Sequence, residues 1–161
     1  MPRFHELTAQ AHALMETGDY GDFSKAHDLL IAAVDAAEAE YGTSSELAQA
    51  HLNLAMHRVA DHEVGLGTSL RFRLALRSAV AAFGIFSPEA APYFSHYGDY
   101  RFRFRTSNLL RARRAYKWAL RLYLRHYGSN DPRTVKAFAD LAECQEAYDQ
   151  QQSDPSFGRS R

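Results

Sequence analysis

The chain has one cysteine, Cys144, so no internal disulfide can form. Nowhere does it carry an unbroken apolar run near the ~20 residues that span a bilayer. It opens on no apolar leader, and with the lone thiol this predicts a reducing, cytoplasmic setting. Glycine is scattered, and no glycine-rich loop follows a strand pattern, so a phosphate-cradling nucleotide site is excluded. Gly65-Leu66-Gly67 reads as a hinge.

Metal chemistry is equally thin. There are eight histidines, but His5-Glu6 is followed next by His12, so the pair belongs to no HExxH motif. His57, Asp61, His62 and Glu63 lie close in sequence, yet their spacing fits no structural zinc site. No nucleophile sits in a spacing that nominates a base for it, and Cys144 falls at a core-facing helical position. The expectation is a non-enzyme with no catalytic residues, no cofactor and no metal.

Net charge is also absent, but its zero hides a separation. Residues 1–66 hold eleven acids and three bases, a net −8. Residues 67–136 hold fourteen bases and three acids, a net +11. Residues 137–161 hold five acids and two bases, a net −3. Such segregation creates local fields that a pI of 7.1 conceals.

What the chain does have is a period. Tyr41-Gly42, Phe83-Gly84 and Tyr127-Gly128 place their glycines 42 and 44 residues apart. Nine residues before each glycine stands an alanine, at Ala33, Ala75 and Ala119. A period of this length means stacked helical hairpins, none able to bury its apolar face alone.

Capping and periodicity then predict seven helices: 4–17, 22–41 capped by Asp22, 44–59 capped by Ser44 or Ser45, 69–83, 88–104, 109–127 and 132–149. Gly42 is expected to end its helix in the left-handed conformation. Ser87-Pro88 and Asp131-Pro132 are cap-then-proline starts, and Thr106-Ser107-Asn108 is a recap. Phe23, Ala26, Leu30, Ala33, Val34 and Ala37 form the inner face of the second helix. At 161 residues the length predicts one domain, residues 1–150, with a polar, disordered tail at 151–161. Phe102 and Phe104 alternate with arginine in a strand-like way and, like Trp118, read as packing residues.

These signals resemble a known family. Gly21-Asp22-Phe23-Ser24-Lys25-Ala26 is similar to the G-x-Y-x-x-A turn of tetratricopeptide repeats. Leu52-Asn53-Leu54-Ala55 resembles the first-helix core of such a repeat, and Ala33-Val34, Ala75-Leu76 and Ala119-Leu120 its second-helix pair. The 42-residue period and the turn at 128–132 are most similar to the kinesin-light-chain-like subclass. The resemblance spans about residues 4–150 and departs at Thr68, which stands where the turn motif has alanine. It implies an all-α, right-handed solenoid of three hairpins and a closing helix.

The resemblance also implies a concave groove lined by first helices. Aligned positions are Asn53, Met56 and His57, then Ser95, His96, Asp99 and Arg103, then Lys136, Asp140 and Glu143. Asn53 matches an asparagine that holds a bound peptide's backbone in relatives. A carboxylate clamp is not expected, because Pro92 and His96 occupy the places of its lysine and arginine. The implied function is an adaptor or assembly subunit that takes a peptide or helix.

A second surface follows from composition alone. Residues 100–126 contain eight arginines, one lysine and no acid. Arg101, Arg105, Arg111, Arg114, Lys117, Arg121 and Arg125 make up this basic surface, and helical spacing brings Arg111, Arg114, Arg121 and Arg125 to one face with Lys117 and Trp118 nearby. The alternative function is therefore an anion- or nucleic-acid-binding module. The acidic first segment and the basic second segment also predict head-to-tail self-association.

Overall fold

The computed structural model describes residues 2–104 and 109–153, with Tyr20 by its backbone alone. Among these residues lie seven α-helices and one short 3-10 turn. The helices are α1 (Arg3–Glu16), α2 (Tyr20–Tyr41), α3 (Ser45–Ala60), α4 (Leu66–Phe83), α5 (Ala91–Phe104), α6 (Leu109–Tyr127) and α7 (Pro132–Ser153). They fall into two compact units, Met1–Ile85 and Phe86–Arg161.

In the first unit α1 packs on α2, α2 on α3 and α3 on α4. The inner face of α2 is as predicted: Ala26, Leu30, Ala33, Val34 and Ala37 are buried, with Phe23 half-buried. Alanines at the crossings let helices approach to about 8–10 Å, which larger side chains would prevent. Leu30 and Leu54 fill the space that remains. Thr68 stands in for the repeat's alanine at 1% exposure, and its hydroxyl donates to the Glu63 carbonyl. That bond offsets the penalty of burying a hydroxyl.

In the second unit α5 packs on α6 and α6 on α7. Gly98 of α5 is buried against Tyr116, and a Cβ there would stand 2.7 Å from the tyrosine ring. The glycine thus makes room for a ring in the place that Ala55 holds in α3. Cys144 is fully buried beside Ala112 and Tyr116, and burial pushes its thiol up to about 11. A core-facing cysteine is the placement its helical position predicted. Phe102 and Phe104 sit in regular helix. Two residues rotate a helix by about 200°, so Phe102 turns inward onto Tyr116 while Phe104 stays exposed.

The three aromatic-glycine pairs end α2, α4 and α6. Each glycine has positive φ (59°, 88° and 81°), and its N–H bonds the carbonyl four residues back. Gly42 is not left-handed helical as expected: its ψ of −138° takes it to a region essentially reserved for glycine.

Other boundaries differ too. Asp19, not Asp22, caps α2 by accepting from the Gly21 N–H at 2.7 Å. Asp22 is taken up by Thr17 and Lys25. α4 starts at Leu66, ahead of the expected residue 69, with no side-chain cap to signal it. Pro88–Ala90 is a 3-10 turn capped by Ser87, after which α5 begins with Pro92 in its first turn. Proline costs little there, because first-turn N–H groups have no helical acceptor. α7 continues through Ser153, so the predicted tail does not begin at 151. The expected recap at Thr106-Ser107-Asn108 and the rest of the tail lie outside the described residues.

Candidate functional site

Within the second unit α5, α6 and α7 enclose a cleft of about 220 Å³. Ser95, His96 and Asp99 come from α5, and Lys136 and Asp140 from α7, five of the predicted groove residues in one place. Their spacing explains the convergence: residues three and four apart share a helix face. Pro92, Tyr123, Arg133 and Ala137 complete the lining.

Polar contacts border the cleft. The Tyr116 hydroxyl donates to Asp99 at 2.8 Å, and Tyr123 hydrogen-bonds Ser95. Lys136 pairs with Asp140 at 2.6 Å, which raises the ammonium pKa. Arg133 donates to both carboxylate oxygens of Asp131 at 2.9 Å and lies 3.6 Å above the Tyr127 ring. His96 is half-buried, and burial lowers its pKa, which favours the neutral ring. The cleft therefore offers donors, acceptors and both charges over a small apolar floor.

Arg103 and Glu143 are exposed and take no part in the lining. Arg133 and Tyr123 were missed. Arg133 lies one turn before Lys136, a signal the sequence did contain. Tyr123 belongs to a second helix, which the family pattern does not nominate.

In the first unit the predicted groove residues divide. Asn53 is half-buried and accepts from Gln49 at 2.7 Å, and Met56 is 45% exposed beside it. His57 is a correction. It is 1% exposed, stacked on Phe23 of α2 at 4.2 Å, with His27 at 5.4 Å. Neither ring nitrogen has a hydrogen-bond partner among the described residues, and burial lowers its pKa. A ring so enclosed cannot present itself to a ligand.

The basic surface also divides. Arg101 is a correction: it is 6% exposed, donates to the Tyr97 hydroxyl at 3.1 Å and lies over that ring. Arg105 lies outside the described residues. Arg111, Arg114, Lys117, Arg121 and Arg125 are exposed on α6, opposite its buried face. Among the described residues no three His, Cys, Asp or Glu side chains gather as a metal would require. No helix among them is long and apolar enough to cross a membrane.

Hairpins closed by glycine, small residues at the crossings and a terminal helix define an all-α solenoid of the tetratricopeptide type. The chain is similar in structure to BtubC (BKLC) from P. vanneervenii, a kinesin-light-chain-like tetratricopeptide protein, with a TM-score of 0.76 and 20% sequence identity. The match covers 92% of this chain and 57% of the BtubC chain, so the chain spans little more than half of that neighbour. No family model and no curated protein matches the sequence.

Proposed function

We propose that this chain is a non-catalytic protein-interaction module, an adaptor or a subunit of a larger assembly. Its principal site is the cleft of the second unit, which takes a peptide or a helix. The observation that carries the reading is the convergence of Ser95, His96, Asp99, Lys136 and Asp140 on one cleft. A mixed set of donors and acceptors over an apolar floor suits backbone amides and a few polar side chains. Asn53 and Met56 offer a second, smaller contact on α3. The basic stripe of α6 lies on the far side of that helix from Tyr123 and has no role in this cleft.

The test is selection of binding peptides by the intact chain from a random display library. Peptides that bind should lose at least about tenfold in affinity to Lys136→Glu, which reverses a charge at the cleft mouth. Peptides that bind wild type and Lys136→Glu alike, with His96→Ala also neutral, would refute the cleft as the site.

A further inference from the structure

Two exposed helix faces in this chain are complementary in charge and in register. On α6, Arg111, Arg114, Trp118, Arg121 and Arg125 follow one another at steps of three, four, three and four. That is the heptad spacing of a helix-packing stripe. The four arginines are exposed and Trp118 is half-exposed. On α2, Ser24, Asp28, Ile31, Asp35 and Glu38 follow at steps of four, three, four and three, and all five are exposed. Read backwards, the acidic stripe has the same steps as the basic one.

Laid antiparallel, Glu38 meets Arg111, Asp35 meets Arg114 and Asp28 meets Arg121. Ile31, at 37% exposure an apolar residue on an acidic face, then falls opposite Trp118. Each charged stretch runs over ten helical steps, ~15 Å of helix. None of these six charges has an ion-pair partner among the described residues, where the pairs are Asp22–Lys25, Arg58–Glu63, Asp131–Arg133 and Lys136–Asp140. The surrounding fields agree. Residues 1–85 hold eleven acids and six bases, a net −5, and residues 86–161 hold eight acids and thirteen bases, a net +5.

We propose that the outer face of α6 docks antiparallel on the outer face of α2 of a second copy of this chain. Each copy carries one of each face, so the contact is heterologous and builds chains or rings of copies. Single-stranded nucleic acid fits the stripe less well, because such a site wants aromatic faces free for bases. Here Trp118 already stacks on Phe94 at 5.9 Å and carries Arg121 over its ring, and Phe86 lies under Arg125. Nucleic acid also leaves the matched acidic stripe unexplained.

The experiment is light scattering on the nuclease-treated intact chain over a concentration series. It is run at about 0.01 M salt, where charges act over about 30 Å, and at about 1 M, where they act over about 3 Å. At low salt the mean mass should rise to at least about twice the 18.2 kDa of one chain, and at high salt it should return to that value. Arg114→Glu with Arg121→Glu should remain monomeric at low salt, as should Asp28→Lys with Asp35→Lys. The chain carrying all four substitutions should associate again, because the pairing is restored with its signs exchanged. That rescue separates docking from misfolding, and circular dichroism checks that every variant is helical. A wild-type chain that stays monomeric at low salt would overturn the proposal, as would a helical four-site variant that fails to associate. A monomer that binds a labelled single-stranded oligonucleotide, and loses it with Arg114→Glu and Arg121→Glu, would overturn it in favour of nucleic acid.

Discussion

His57 of α3 and His96 of α5 both stand at positions where the repeat pattern expects a groove, and the two units treat them in opposite ways. In the first unit α2 brings Phe23 over the histidine, which becomes core. In the second unit α5 leaves His96 half-buried at a cleft whose opposite wall is Lys136 and Asp140 of α7. The first unit also buries His51, against Arg71 at 3.4 Å. The lesson is that a repeat register assigns a helix to a surface, while its neighbours decide which of that helix's side chains reach it.

The strongest way to break the comparison is to fill the space that opens α5 to Tyr116. Gly98→Ala puts a Cβ where the ring lies, and overpacking of this kind costs about 1–3 kcal/mol. Chemical denaturation should show that loss, and the Tyr116–Asp99 bond at one wall of the cleft should go with it. In the first unit the counterpart is Gly42→Ala, which forces a side chain into a strained backbone at a cost of about 1–3 kcal/mol.

Acid should come next. Burial, with Arg71 nearby, holds His51 down at about 4, and burial likewise lowers His57. Both rings are neutral when folded and are released to an ordinary pKa of about 6.5 on unfolding. Stability is therefore complete above pH about 6.5 and declines as pH falls from there toward the folded values. Each histidine adds at most about 1.4 kcal/mol per pH unit to that slope. Urea midpoints measured across this window should fall with acid, and His57→Phe should flatten the fall. His96 lies lower than usual for the same reason and adds to the slope from the second unit.

The helical framework was largely written in local signals. Ser87 and Asp131 cap as predicted, and of the two serines offered for α3 it is Ser44 that caps, because a cap needs only its own helix start. The aromatic-glycine ends needed only a backbone conformation that other residues avoid. Where two aspartates flank one turn, local reading chose Asp22 and the chain uses Asp19. The start of α4 was illegible because it has no side-chain cap.

The site was legible only in part, for a different reason. Whether His57 is ligand-facing depends on Phe23, thirty-four residues away in the chain. Arg101 did carry a local clue, since Tyr97 one turn earlier can hold it. Tyr123 carried none, because its place in the cleft is fixed by how α6 meets α5 and α7.

The smallest expected effect sharpens the comparison most finely. Lys136→Ala removes an exposed ion pair worth about 0–1 kcal/mol, so stability should barely change. Peptide affinity should nevertheless fall, whereas His57→Phe should leave it intact.

The central claim is that the cleft of α5, α6 and α7 receives the partner. The most direct measurement is amide hydrogen exchange on the intact chain with and without a selected peptide. Added protection concentrated at residues 95–99 and 133–140 is the predicted result. Protection confined to the exposed face of α3 around Asn53 and Met56, with α5 and α7 unchanged, would contradict it.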